Sequence, residues 1–339
     1  MAEGNTYQQP RLIINDNDIN AKITGTIRYP GNNQLNRLNI RINTTEMQHM
    51  ALQNKKVELY LNNGSYDSVP VFRGFINDYT PTDKDMTINA TDIRSKLTGN
   101  KGLRLTLTDK NNYDGYTLGQ FVFSYLEEFV NDENIGTSML SDTSPPVFMT
   151  GERGEDVDVY SLIVKKAKEV IDTDTNFLFP LKHFIDVEEG DRHSSIVIKK
   201  EKLLTSVPSM TLSFFDGLKN IKYKRRLPAN TVTYEGRKFS FSNTPKGISS
   251  IKIPKQNSPA ETRNVALRNI LIQQQATDEI TVGITKGYDV RLGEIVNLDL
   301  DNDDISGSHR VVSKTIKFGN TLSCSLNLNK LPPVLSDFI

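Results

Sequence analysis

The chain has 339 residues, which is long enough for more than one packed core, since single cores stop growing at roughly 250 to 300 residues. Its 41 Lys and Arg balance 41 Asp and Glu, so no overall field draws it toward nucleic acid, an anionic membrane or an acidic substrate, and any charged partner must meet a local patch. One cysteine, Cys324, excludes an internal disulfide and a cysteine-based zinc cluster and fits a reducing compartment. No stretch approaches the ~20 apolar residues of a membrane helix, and Met1 to Tyr7 lack the basic and apolar regions of a signal peptide, so a soluble product is expected.

The first hundred residues carry short segments that alternate apolar and polar side chains: Ile23, Gly25, Ile27; then Leu38, Ile40, Ile42; then Val57, Leu59, Leu61; then Val71 to Tyr79, broken at Gly74; and last Met86, Ile88, Ala90. Period two means strands with one buried face. Pro30-Gly31, Asn62-Asn-Gly64 and Pro81-Thr-Asp83 divide them at the spacing of a small barrel or sandwich.

From about Thr108 the period becomes helical. Leu118, Phe121, Val122, Tyr125, Leu126, Phe129 and Val130 lie on one stripe, opened by a capping box of Thr117 and Gln120. A second helix places Val159, Leu162, Ile163, Ala167, Val170 and Ile171 on one face, with Lys165, Lys166, Lys168 and Glu169 mostly on the other. Between them, residues 131–158 are polar and contain Pro145-Pro146, which predicts a long loop. Strands are expected over 195–199, 231–235 and 238–242, giving an α+β middle region.

Ser258-Pro-Ala-Glu261 opens a third helix running to about Gln275, with serine as cap and proline at the first helical position. Four regular strands follow. Ile280, Val282 and Ile284 alternate with polar neighbours, as do Val296, Leu298 and Leu300. An acidic loop over 301–307 leads to Val312, Ile316 and Phe318, and a Gly319-Asn320 turn leads to Leu322, Cys324, Leu326 and Leu328. Closure of these strands would remove exposed edges, which predicts a second small barrel.

The residues offer little chemistry. Glu188, Glu189 and Asp191 are the clustered acids, but glycosidase carboxylates face each other across a substrate, and acids beside Gly190 read as a solvated turn. His49, His183, His193 and His309 lack metal-ligand spacing and read as surface or interface side chains. Asp299 to Asp304 begins like a calcium loop but has Asp304 where glycine is required and Arg310 where a glutamate is required. Lys219, Lys222, Lys224, Arg225 and Arg226 form the one basic cluster, which faces solvent, a protein or DNA; the charge balance and the single interleaved aromatic, Tyr223, favour the first two.

The C-terminal block, a capped helix followed by Glu279-Ile-Thr-Val-Gly-Ile284, Arg291-Leu-Gly-Glu-Ile-Val-Asn-Leu298, Arg310-Val-Val-Ser-Lys-Thr315 and Leu322-Ser-Cys-Ser-Leu-Asn-Leu328, resembles the second barrel of phage baseplate hub proteins. That family includes late-control tail proteins and the base of type VI secretion spikes. Val57-Glu-Leu-Tyr-Leu61, Val71-Phe-Arg-Gly-Phe-Ile76 and Met86-Thr-Ile-Asn-Ala-Thr-Asp92 are similar to the family's first barrel. Where the family often has Pro-Gly after the leucine of the third motif, Leu292 is followed by Gly293 alone.

The resemblance implies a mainly β chain with an α+β insert: a tube-like barrel at 1–105, a mixed domain at 106–255, and a capped helix with a second tube-like barrel at 256–339. It implies a non-enzymatic hub in the virion tail, assembled in the host cytoplasm. As a homotrimer it would form a pseudo-sixfold ring between a hexameric tail tube protein above and a trimeric spike or tail-tip protein below, with baseplate wedge proteins as further neighbours. No cofactor, no metal and no sequence-specific nucleic-acid contact is expected, although DNA passes such a ring. A receptor- or glycan-binding tail module is the alternative, weakened by the absence of tryptophan, and a cell-wall hydrolase with its site in the insert is a second.

Overall fold

The alternating segments near the N-terminus are strands of one antiparallel sheet: β1 (Arg11–Ile14), β2 (Asn17–Asp18), β3 (Lys22–Tyr29), β4 (Arg37–Asn43), β5 (Lys56–Tyr60), β6 (Phe72–Pro81) and β7 (Met86–Asp92). The computed structural model describes residues 9–31, 33–43, 51–61, 69–98, 104–106, 113, 115–127, 135–136, 156–169, 183–200, 207–215, 217–225, 231–234, 237–240, 250–252, 278–285, 288–301 and 305–330. The chain divides into two units, the first holding Met1–Ile171, Lys182–Lys200 and Ser313–Cys324, the second Asp172–Leu181, Glu201–Val312 and Ser325–Ile339.

In the first unit the strands are ordered β3-β4-β7-β6-β5-β1-β2, and Lys314–Phe318 pairs antiparallel on the free side of β3. The order is open among the described residues. Strand β4 alternates as its sequence predicts, with Leu38, Ile40 and Ile42 buried and Asn39, Arg41 and Asn43 exposed. Gly25 interrupts the apolar face of β3 because Phe318 occupies that place: a Cβ at Gly25 would lie 2.3 Å from the Asn39 carbonyl oxygen and 2.7 Å from Phe318 Cζ.

Gly74 does not break β6. It lets the strand pass the Thr91 carbonyl, 2.1 Å from where a Cβ would sit, and the register shift falls instead between Ile76 and Asp78. Strand β6 is also buried on both faces, with Phe72, Arg73, Gly74, Phe75 and Ile76 all inaccessible. The helical region accounts for the second face. Helix α1 (Leu118–Tyr125) begins at the predicted capping box, in which Gln120 N–H donates to Thr117 Oγ1 and Thr117 N–H to Gln120 Oε1. With α2 (Val159–Glu169) it forms a core of Phe121, Val122, Leu126, Leu162 and Ile163 that takes in Phe75, Ile93 and Leu97. Lys166, placed by periodicity toward solvent, is buried.

The segment expected as a long loop contains β9 (Ile135–Gly136) and β10 (Asp156–Asp158), which pair with β12 and with β8 (Arg104–Thr106) respectively. Strands β11 (His183–Glu189) and β12 (Ser194–Lys200) form a hairpin, so Glu188 and Glu189 belong to a strand and the turn starts at Gly190.

The second unit holds β13 (Met210–Leu212), β14 (Leu218–Arg225), β15 (Thr231–Tyr234), β16 (Arg237–Ser240), β17 (Ser250–Lys252), β18 (Asp278–Ile284), β19 (Ile295–Leu298) and the start of β20 (Gly307–Phe318), with most of β21 (Ser323–Lys330). Strands run β14-β18-β21-β20, with β19 antiparallel to β20 and parallel to β13; β16-β15-β17 is a separate sheet. Val282, Val296, Leu298, Leu326 and Leu328 are buried as the alternation predicts, whereas Leu300 is half-buried and Ile295, beside Val296, is buried as well. The helix expected over 258–275 lies outside the described residues. The class is therefore mainly β, as the sequence implies, but the strands form a large antiparallel sheet that is not closed into barrels among the described residues.

Candidate functional site

Adjacent residues of a strand face opposite ways, and this separates the three candidate acids. Glu188 turns toward Lys199, whose Nζ is 3.2 Å from Glu188 Oε1 and 2.7 Å from Asp186 Oδ2. Asp191 is exposed in the turn, and its carbonyl oxygen accepts from Arg73. Glu189 points the other way, onto β6, where its carboxylate accepts from the Ser194 hydroxyl and, at 3.2 Å, from Arg73 N–H. It does not sit in a solvated turn.

Arg73 organises this corner. Its side chain is 1% exposed and lies between two carboxylates, with Nε 2.5 Å from Glu58 Oε1 and a terminal nitrogen 3.8 Å from Glu189 Oε2. The guanidinium also donates to the carbonyls of Gly190 at 3.1 Å and Asp191 at 3.2 Å. Burial pushes the Glu189 carboxyl up to about 7 against the opposing effects of Ser194 and Arg73. The cation, with its carboxylates and turn carbonyls around it, joins the β11–β12 hairpin to the β5–β6 sheet.

A second buried arginine repeats the arrangement. Asp92 caps a short 3-10 helix, Ile93–Leu97, by accepting from Arg94 N–H at 3.0 Å, and its other oxygen accepts from Asn36 N–H at 2.6 Å. Arg94 folds back on the same carboxylate at 2.5 Å and donates to the carbonyls of Ile185 at 2.8 Å and Gln34 at 3.0 Å. Burial works against the Arg94 charge, but the Asp92 charge and hydrogen bonds override it, and the guanidinium stays protonated. Tyr160 donates to the Asn33 carbonyl at 2.6 Å, Ile185 N–H donates to Asn33 Oδ1 at 2.8 Å, and burial raises the Tyr160 phenol to about 12. Helix α2, strand β11 and the loop before β4 thus meet on one ion pair.

The remaining candidates stay apart. His193 is exposed, whereas His309 is not a surface residue: it is fully buried in β20, with Nε2 2.8 Å from the Ile305 carbonyl. His183 lies in β11, and His49 lies outside the described residues. Among the described residues no group of three or more His, Cys, Asp or Glu side chains could hold a metal ion. Asp299 and Asp301 are exposed, Asn302 to Asp304 are outside the described residues, and Arg310 lies in β20. Lys219, Lys222 and Lys224 project from β14, Arg225 ends that strand, and Arg226 is outside the described residues. Among described helices none is long and apolar enough to cross a membrane.

One surface feature escapes sequence reasoning. Phe214 and Phe215, in the turn joining β13 to β14, are 64% and 99% exposed. The available signal was two consecutive aromatics just before Asp216-Gly217, a turn dipeptide.

Solved structures match the chain along nearly its whole length. The 43 kDa tail protein of prophage MuSo2 from Shewanella oneidensis aligns over 95% of this chain and 96% of its own, with TM-score 0.63 and 11% identity. The fold is that of phage tail proteins. A tail protein from Neisseria meningitidis MC58 aligns over 95% and 97% with TM-score 0.63 and 11% identity. The E. coli c3393 protein, a type VI secretion component described as structurally similar to the T4 tail proteins gp27 and gp5, aligns over 96% of this chain and 79% of its own with TM-score 0.57 and 9% identity. No family model and no curated protein matches the sequence.

Proposed function

We propose that this chain is a structural, non-enzymatic hub of a phage or phage-like tail tip. The observation that carries the reading is the match to prophage tail proteins, which covers 95% of this chain and extends over both units. Three copies would form a pseudo-sixfold ring that adapts a hexameric tail tube protein to a trimeric spike or tail-tip protein, with baseplate wedge proteins around it. In that ring the strands at 1–105 and 256–339 would each close into a tube-like barrel, flanking a mixed domain at 106–255. Two β-rich regions per chain support this geometry, since three subunits then present six near-equivalent surfaces. The ring would reside in the virion tail.

The fate of Glu189, held on Arg73 instead of facing a second free carboxylate, favours the hub over a hydrolase. Native mass spectrometry of the purified chain, followed by electron microscopy of assembled tails, tests the reading. A trimeric mass and density for three copies at the tube end are expected. A monomer at assembly concentrations, or absence from tail particles, would reject it.

A further inference from the structure

We propose that Phe214 and Phe215 form a plug that seats in an apolar pocket, rimmed by carboxylates, on a neighbouring protein of the tail; the inference rests on the hub reading.

Single exposed apolar side chains are ordinary on protein surfaces, but two consecutive phenylalanines on one fixed turn are not. The turn is held at both ends. Leu218 N–H donates to the Ser213 carbonyl at 3.1 Å, and the Gly217 carbonyl accepts from Thr285 N–H at 3.1 Å. Gly217 has φ +89°, and a Cβ there would fall 2.3 Å from Thr285 Oγ1, so glycine alone fits. On one side β13 is locked parallel to β19, and on the other β14 is antiparallel to β18. An aromatic pair on a pre-ordered turn loses little freedom when it docks, which suits it as an interface anchor.

The neighbouring strand specifies the partner's charge. Beside the turn, β14 presents exposed Lys219, Lys222 and Lys224, so the complementary rim is acidic. Strand β14 pairs with β18 and with no other described strand, and its register shifts between Lys219 and Lys222. Lysines and a bulge on an edge discourage strand addition, which leaves the turn as the point of engagement. Asp216 follows Phe215 directly and the exposed Asp299 donates its N–H to the Leu212 carbonyl at 3.0 Å, so the partner's carboxylates are expected to meet β14 and not this end of the turn, and a bilayer fits less well because the turn offers only two apolar side chains.

The test uses the full chain in cells that assemble the tail. A photo-reactive p-benzoylphenylalanine is placed at position 215, and cross-links in purified tails are mapped by mass spectrometry. A cross-link to a different tail protein, in a segment containing Asp or Glu, is expected. The double variant F214S/F215S should keep the melting temperature and oligomeric mass of the wild type while its incorporation into tails falls about thirtyfold, the strength of one strong anchor. Incorporation equal to wild type, cross-links only between copies of this chain, or flotation of the wild type but not the double variant with phosphatidylserine vesicles would each overturn the proposal. If wild type itself is absent from tails, the hub reading fails; if wild type is present and the variant incorporates equally, only the plug fails.

Discussion

Arg73 and Glu189 lie 116 positions apart in the chain, yet Arg73 N–H donates to Glu189 Oε1 at 3.2 Å and the guanidinium spans the gap to Glu58. A lone contact of this kind would matter little on the surface. Buried, it makes each partner depend on the others.

Removing the cation should therefore be severe. Arg73→Met removes the cation between Glu58 and Glu189, leaving Lys56 Nζ, 3.4 Å from Glu58 Oε1, as the remaining counter-charge, and strands the Gly190 and Asp191 carbonyls. A loss of roughly 3–5 kcal/mol in urea denaturation is expected. Glu188→Gln, on the wetter side of the same hairpin with Lys199, should change stability by less than about 1 kcal/mol.

Glu189 should make stability depend on pH in an unusual direction. Its carboxyl is raised by burial from 4.5 to about 7, so between those values the folded chain holds a proton that the unfolded chain has released. The contribution is fully present below pH 4.5 and is lost as pH rises through 7, with a span on the order of 3 kcal/mol. Denaturation midpoints from pH 4.5 to 8.5 should show wild type weakening relative to Glu189→Gln as pH rises. Parallel curves would refute the assignment.

Asp92→Asn removes the counter-charge of Arg94, which is 2% exposed, and weakens the cap of Ile93–Leu97. A cost of about 3–5 kcal/mol is expected, read as a fall in melting temperature. Tyr160→Phe loses the hydroxyl bond to the Asn33 carbonyl and the longer one, 3.4 Å, that the hydroxyl accepts from Arg94, and should cost about 0.5–1.5 kcal/mol.

Gly25→Val forces a side chain against the Asn39 carbonyl and Phe318. We expect at least about 1–3 kcal/mol of destabilisation in thermal melts. The double variant Gly25→Val, Phe318→Ala should recover part of that loss and not all, because the Asn39 clash involves backbone.

The strands were readable because their period is local. Leu38, Ile40 and Ile42 announce one buried face without help from the rest of the chain, as do the capping box at Thr117 and the alternation from Ile280 to Leu328. Arg73 and Arg94 were not readable as buried. A charged residue in a strand is ordinarily placed in water, and the hairpin that covers Arg73 lies more than a hundred residues away. Lys166 misled for the same reason, and Glu189 read as solvated because its neighbours in sequence, Glu188 and Gly190, are turn-like company while its neighbours in space are not. The Phe214-Phe215 pair was visible as letters, but only its 99% exposure at Phe215 separates a surface anchor from another core residue.

The two arginine joints also bear on how such chains can be recombined. A grafted insert, taken from a relative and spliced between β7 and the later strands, would carry its own hairpin but no acceptors shaped for Arg73 and Arg94. Arg73 would keep Glu58 but lose Glu189 and the Gly190 and Asp191 carbonyls, and Arg94 would keep Asp92 but lose the Ile185 carbonyl, so both buried cations would be left partly unsatisfied. Chimeras that exchange the segment from α1 to β12 should fold only when Glu58, Arg73, Asp92 and Arg94 travel with it, so the exchangeable unit of this chain is wider than its helical segment.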